Sequence, residues 1–286
     1  MPELPEVETI RRQLAPHMEG RVLGELEVLD PRWCAPAHPE EVADAVRGRP
    51  IARVSRRGKY LLVELADEVT LVMHLRMTGT LLRVDEGEDT ADRPHLRARL
   101  RLDDGRRVLF CDQRRFGTGE VLLGAETVED YFGLRLGIEP LSPGFTAEAL
   151  RALARNRRAP VKAFLLSQER VAGVGNIYAD EALFRARLHP LRPVGTLRRG
   201  QISSLRDAVV ESLEAGIDAR GATIDDFRHT DGARGSFQDR FLVHRREGEP
   251  CPRCGSPIRK LRAAGRGTYV CPRCQPRPRV ARAPRA

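Results

Sequence analysis

The sequence predicts an α+β chain of more than one domain: an N-terminal helix with an antiparallel β-sandwich, then a helical domain ending in a small cysteine-bearing hairpin. Three observations predict it. Apolar residues recur three to four apart at the start, fall into short alternating or continuous runs between 22 and 123, and return to helical spacing after 145. A length of 286 residues suits two ordinary cores better than one. Two Cys-x-x-Cys pairs sit close together near the end of the chain.

The first helix is defined by Leu4, Val7, Ile10, Leu14 and Met18, with Pro5 tolerated in its first turn. Strand-like runs follow at 60–65, 70–75, 96–102 and 107–111, separated by turn residues such as Asp103, Asp104 and Gly105. A Gly- and Pro-rich stretch, 133–145, reads as a linker. Helices are expected near 147–156, 160–167, 176–187 and 197–219, then a polar loop at 221–236. The expected divisions are therefore a domain at 1–132, the linker at 133–145, a helical domain at 146–240, a hairpin module at 241–275, and a basic tail at 276–286 that stays disordered until it meets an anion.

Hydrophobic residues at 41% and charged residues at 31% describe a globular chain with a heavily solvated surface and exclude wholesale disorder. No apolar run approaches the roughly 20 residues of a membrane-spanning helix, and MPELPEVET places acids where a signal peptide carries positive charge, so the expectation is a cytoplasmic protein without a membrane partner. The net charge of +9 is unevenly spread. The last 36 residues hold ten basic residues and no acid, whereas the rest holds 39 basic and 40 acidic. Such a footprint favours a polyanion, nucleic acid before anionic lipid. Only Lys59, Lys162 and Lys260 interrupt the arginine bias, which marks each as a candidate for work that arginine does badly, such as moving a proton.

Cys251, Cys254, Cys271 and Cys274, with 16 residues between the pairs, have the spacing of a structural zinc ribbon. Four thiolates close the tetrahedron and leave no position for water, so the expected Zn2+ is structural. Cys34 and Cys111 remain as unligated thiols. Arg259, Lys260, Arg262 and Arg266 would stand on the pinned hairpin and suit phosphate contact. In 171–180, two glycines precede Asn176, a candidate cap for the next helix. Its free amides would suit a phosphate, although a plain tight turn has the same pattern. At the other end, removal of Met1 would expose the secondary amine of Pro2, whose attack on a sugar C1′ would give a permanently cationic iminium. Glu3 and Glu6 lie on one helical face beside it, either as acid catalyst and support or merely as complements to the helix dipole.

The opening PELPEVETIRR, RRGKYLL around Lys59, HLRMTG from His74, RRFG from Arg114, GVGNIYADEALF and the terminal Cys-x2-Cys-x16-Cys-x2-Cys together resemble bacterial formamidopyrimidine-DNA glycosylases over nearly the whole chain. The resemblance implies a helix-two-turns-helix in the helical domain and a β-hairpin zinc finger. It also implies a bifunctional base-excision repair enzyme that removes 8-oxoguanine and formamidopyrimidines, then cuts the abasic site by β,δ-elimination. By that resemblance Pro2 forms the Schiff base, Glu3 is the proton donor, Glu6 supports the site, and Lys59 and Arg266 serve the phosphates and the eliminations. Lys59, His74, Asn176 and Arg266 would grip the backbone, with His95 and Arg158 as further DNA contacts. Met77, Arg114 and Phe116 would fill the gap left by the extruded base. On pattern alone His74, Met77 and Phe116 also read as core residues. The implied partner is damaged double-stranded DNA bound between the domains by a monomer associated with the nucleoid. Three departures stand out: Asp112-Gln113 where Asp-Pro is usual, Arg76 where glycine usually precedes Met77, and VHRREGEP before Cys251. Rival readings are a zinc-ribbon protein that binds DNA without cutting it, and an endonuclease VIII-like preference for oxidised pyrimidines.

Overall fold

The computed structural model describes residues 1–88, 90, 93–224 and 227–278. From 279 onward the expected disordered tail lies outside the described residues. Contacts divide the chain into two compact units, Met1–Arg135 with Gly216–Gln238, and Leu136–Ala215 with Asp239–Ala286.

In the first unit, helix α1 (Leu4–Met18) forms as its spacing predicts, and Val7, Ile10, Leu14 and Met18 are wholly buried. Its start is fixed by a reciprocal cap. The Glu3 side chain accepts from the Glu6 amide, while Glu6 Oε2 accepts from the Glu3 amide at 2.8 Å. Eight strands follow: β1 (Val22–Val28), β2 (Arg49–Arg57), β3 (Tyr60–Leu65), β4 (Val69–His74), β5 (Gly79–Val84), β6 (Leu96–Leu102), β7 (Arg107–Asp112) and β8 (Thr118–Leu123). They hydrogen-bond in the order β5-β7-β6-β1-β2-β3-β4-β8, and every pairing is antiparallel. β1 and β2 share only the pairs Val22↔Pro50 and Leu23↔Arg49, so the series is two four-stranded halves joined at a short seam. One apolar core takes Leu61 and Met73 from one half and Leu100 and Phe110 from the other, together with α1. That is the expected sandwich.

Two helices are absent from the sequence reading: α2 (Pro39–Val46), inside the stretch read as strand and turn, and α3 (Ala125–Gly133), just after it. α2 buries only Val42 and Val46, and α3 only Phe132, too few apolar positions to register a helical period. The segment 216–238, expected to belong with the helical domain, groups instead with the first unit. Its hydrogen bonds give the reason: Ala222 N donates to Glu6 Oε1 at 2.8 Å, Thr230 N to Gln13 Oε1 at 3.1 Å, and Arg83 N to Thr230 O at 2.7 Å.

The second unit contains α4 (Ala147–Ala154), α5 (Val161–Leu166), α6 (Asn176–Arg185), most of α7 (Arg199–Asp218) and the hairpin β9 (Arg259–Ala263) with β10 (Arg266–Val270). Residues 136–145 are packed into it, with Gly137 N and Ile138 N donating to Gln168 O and Arg170 O and with Phe145 buried, rather than spanning freely as a linker. Buried charge seats the hairpin. Lys162 Nζ reaches Asp180 Oδ1 at 2.6 Å and Thr268 Oγ1 at 2.7 Å, and Asp180 Oδ2 lies 2.9 Å from His244 Nδ1. Glu181 accepts from the amides of Leu242, Val243 and His244 at 2.9–3.0 Å. Burial raises the Glu181 carboxyl above its usual range, against the pull of those three donors.

Gly119 on β8 tests the sandwich packing, because a Cβ there would lie 2.1 Å from the Trp33 indole, which itself packs edge-on against Phe110. Gly119→Ala should cost about 1–3 kcal/mol in urea unfolding, the usual penalty for overpacking. Gly133→Ala, with open space around it at the end of α3, should be neutral or slightly stabilising.

Candidate nucleic-acid active site and zinc centre

Pro2 is buried at the head of α1, directly before the buried carboxyls Glu3 and Glu6. With Met1 in place the Pro2 nitrogen is an amide, so nucleophilic chemistry at this atom requires the methionine to be removed. The cap explains why the residue is held rather than frayed. Glu6 fixes the Glu3 amide with one oxygen and the Ala222 amide, at the root of the 221–236 loop, with the other. Residues 225 and 226 of that loop lie outside the described residues.

Lys59 occupies the turn between β2 and β3 and is buried. Across the β3–β4 ladder Tyr60 pairs with His74, their rings 4.5 Å apart and edge to face. Burial, then the neighbouring charges of Arg76 and Lys59, hold His74 down to about 3. It is therefore neutral at physiological pH. Because its Nδ1 accepts the Arg76 amide at 2.9 Å, the ring proton sits on Nε2, where it can donate to a phosphate oxygen.

Met77 and Phe116 are among the few exposed large hydrophobic residues, at 38% and 50% exposure, so the core alternative fails for both. Arg114 is exposed as well, and its guanidinium lies 4.6 Å from the Phe116 ring centroid. His95 is exposed at the edge of β6, and its carbonyl accepts the Asp112 amide.

In the second unit, Asn176 is the first helical residue of α6, and Gly175, not Asn176 as expected, holds the cap position. Asn176 Nδ2 instead donates to Gly267 O at 3.1 Å, one residue from the exposed Arg266 on β10, while its buried Oδ1 has no partner among the described residues. Arg158 is exposed between α4 and α5 and takes no part in this contact. Two of the three lysines thus take separate roles: Lys59 joins the His74 cluster, whereas Lys162 is sealed in the ion pair beneath the hairpin. The sequence reading missed Asp112, Thr78, Asp180 and Glu181. The legible signal was weak, an Asp-Glu pair inside the otherwise apolar helix α6.

Sγ atoms of Cys251, Cys254, Cys271 and Cys274 all lie within 4.8 Å of one another. Cys254–Cys271 and Cys251–Cys274 are separated by 3.4 and 3.9 Å. A tetrahedron with Zn–S bonds of about 2.3 Å has edges of about 3.8 Å, so the set fits zinc. Arg253 N and Cys274 N each donate to a cluster sulfur at 3.4 Å, the outer bonds expected around bound thiolates. Hydrogen bonds from Ser256 lower Cys254 to about 6, while burial and then the neighbouring thiols push Cys274 up to about 12. Cys34 and Cys111 are buried free thiols, both raised by burial.

The fold and these sites define a DNA-repair glycosylase architecture with a closed four-cysteine centre. Residues 1–119 match the formamidopyrimidine-DNA glycosylase N-terminal domain, 136–228 its H2TH domain, and 248–277 the zinc finger found in FPG and IleRS. The chain is 45% identical to formamidopyrimidine-DNA glycosylase of Chloroflexus aurantiacus over 281 residues, covering 96% of this chain and 98% of that one. It superposes on MutM (Fpg) of Thermus thermophilus with a TM-score of 0.84 at 44% identity, covering 96% and 98% of the two chains. It also superposes on a Lactococcus lactis Fpg mutant in complex with Fapy-dG-containing DNA, with a TM-score of 0.89 at 34% identity and coverage of 96% and 100%. The chain belongs to the formamidopyrimidine-DNA glycosylase family, and its structural cofactor is one zinc ion.

Two measurements test these sites. Elemental analysis should find one zinc per chain, and chelation should remove amide protection from β9 and β10 while leaving α1 protected. His74 is depressed in the folded state relative to its unfolded value of 6.5, so the unfolded chain binds the extra proton, and this group's share of stability is complete above about 6.5 and falls as pH drops toward 3. Urea unfolding at pH 7 and pH 5 should accordingly show a smaller loss for His74→Gln than for the unsubstituted chain.

Proposed function

We propose that the chain is a bifunctional base-excision repair enzyme acting as a monomer on damaged double-stranded DNA in the cytoplasm, at the nucleoid. It excises oxidised purines, 8-oxoguanine and formamidopyrimidines, and then cuts the strand. The observation that carries the reading is the buried Pro2 at the head of a helix whose apolar face is buried, with Glu3 as its N-cap and Glu6 in its first turn.

Once Met1 is removed, the neutral Pro2 amine attacks C1′ and, with the proton that Glu3 supplies, the base leaves with the electron pair of the glycosidic bond, before or after the ring oxygen leaves with its own. The amine loses its own proton, and opening of the sugar gives an iminium between Pro2 and C1′. This cation acidifies C2′, so removal of that proton expels the 3′ phosphate, and a second elimination expels the 5′ phosphate. Lys59 and Arg266 neutralise the departing phosphates, and Lys59 is also suited to carrying protons for the β-step. Glu6 holds the nucleophile's peptide. His74, Asn176, His95 and Arg158 bind the backbone, while Met77, Arg114 and Phe116 fill the vacated stack, the arginine donating to the orphaned base. Zinc supplies no chemistry here. It fixes the hairpin that presents Arg266.

The test is borohydride trapping of tag-free protein on an 8-oxoguanine:cytosine duplex, with the adduct mapped by peptide mass spectrometry. The adduct should lie on the peptide beginning at Pro2. A chain that retains Met1 should bind DNA in a salt-sensitive manner and trap nothing, and Glu3→Gln should slow single-turnover excision about 10²–10⁴-fold. An adduct on Lys59 would overturn the nucleophile. Binding without any adduct, on this duplex and on an abasic one, would favour a nonenzymatic damage binder.

A further inference from the structure

We infer that Asp112 is the positioning residue of the wedge: its carboxyl group ties the loop carrying Met77 to the loop carrying Arg114 and Phe116, so that the three side chains enter DNA as one body. The inference rests on the proposed gap-filling role of those three residues.

Topology brings the loops together. β5 begins at Gly79 and β7 ends at Asp112, and these two residues are direct partners in the antiparallel ladder. The segment before β5 and the segment after β7 therefore leave the sheet at the same edge. Nothing in a ladder prevents two such loops from moving independently, and the tips of both are exposed, at Arg76 and Met77 in one and at 113–116 in the other, with left-handed backbone at Arg76 and at Arg115. Each needs an external restraint to keep one shape.

Asp112 supplies it from a buried position, 1% exposed. Its Oδ1 accepts from the Thr78 hydroxyl and from Arg114 N, the latter at 3.2 Å. Its Oδ2 accepts from Phe116 N and Gly117 N, both at 2.7 Å. Thr78 Oγ1 accepts Arg114 N in turn at 3.2 Å, which closes a triangle between the loops. Gly117 can approach this closely because it has no side chain, since a Cβ would lie 2.5 Å from the Phe110 ring. The Asp112 backbone is itself anchored, its amide donating to His95 O at 2.9 Å and its carbonyl accepting Arg97 Nε at 3.0 Å. One side chain thus satisfies three amides of the 114–117 turn and the only hydroxyl of the 75–78 turn.

Local capping alone would require only the amides of Asp112's own loop. The bond to Thr78 joins the two halves of the wedge and has no role in capping that turn. Wedge insertion against a paired strand depends on this linkage, whereas chemistry at an abasic sugar in a single strand does not, because no partner strand has to be displaced.

Asp112→Asn keeps size but replaces two acceptor sites by donors. Thr78→Val keeps shape and every bond within the 112–117 loop, and removes only the link. Single-turnover excision from an 8-oxoguanine:cytosine duplex should fall about tenfold or more in Asp112→Asn and about threefold in Thr78→Val, with the double variant no worse than Asp112→Asn alone. The cytosine-over-adenine preference opposite the lesion should shrink in both, and stopped-flow 2-aminopurine fluorescence should show slower extrusion. Borohydride trapping on single-stranded abasic DNA should stay within about twofold of the unsubstituted protein. Equal losses on the duplex and the single strand, or an unchanged opposite-base ratio in folded Thr78→Val, would overturn the inference. Failure of the unsubstituted protein to trap abasic DNA in either the duplex or the single strand would instead defeat the proposed function.

Discussion

The rest of the first unit depends on the burial of the apolar face of α1. A nucleophile at a chain terminus faces the ordinary tendency of termini to fray, and a frayed amine cannot be aimed. Here Val7, Ile10, Leu14 and Met18 sink into the core shared by both halves of the sandwich, so the helix has no freedom to slide or roll without opening that core. The reciprocal Glu3–Glu6 cap carries this rigidity the last step to Pro2. Since Glu6 also accepts the Ala222 amide, the same carboxyl fixes the root of the 221–236 loop relative to the terminus. In the proposed mechanism, position at the reacting atom is thus derived from apolar area several turns away, which would give a terminal amine the precision of a core side chain.

The second unit meets the same need without a large core. Its hairpin has five register pairs and little apolar area of its own, so it is held by charge and by metal ligands. Lys162 and Asp180 are wholly buried, and Thr268 and His244 complete their hydrogen bonding. Ion pairs of this kind add little net stability over apolar packing but strongly penalise any arrangement that separates the partners. Together with the four-cysteine centre at its base, this makes the hairpin's seat specific: Gly267 O lies against Asn176, and Arg266 projects from the adjacent position.

Legibility in the sequence followed the kind of interaction. Periodic burial was legible: α1, β3, β6 and the helices from α4 to α7 lie close to where apolar spacing puts them. The cysteines were legible because metal geometry restricts spacing. α2 and α3 were not, because two buried residues and one make no period. The grouping of 216–238 with the first unit was hidden because it rests on Glu6, Gln13 and Arg83, all more than a hundred residues away in sequence. Pro2, Glu3 and Lys59 stood out as residue types with chemistry to offer. Asp112 did not, because a carboxyl that acts only by accepting hydrogen bonds looks like any turn aspartate until its partners are placed.

Arg76 shows how a departure from the resemblance can leave the architecture intact. Glycine is usual there, and this chain places a side chain on a residue with φ of +51°, a conformation that costs roughly 1 kcal/mol for any residue but glycine. The turn still needs that dihedral, because Gly79 N must return to Leu75 O at 2.9 Å to start β5 in register with β7. The bond from Arg76 N to His74 Nδ1 offsets part of the cost and at the same time selects the His74 tautomer. The added guanidinium is exposed beside Met77, and its charge is one reason His74 stays neutral. A substitution that strains the backbone therefore reinforces the donor state of the neighbouring histidine and places a new cation beside Met77, at the segment proposed to enter the DNA stack.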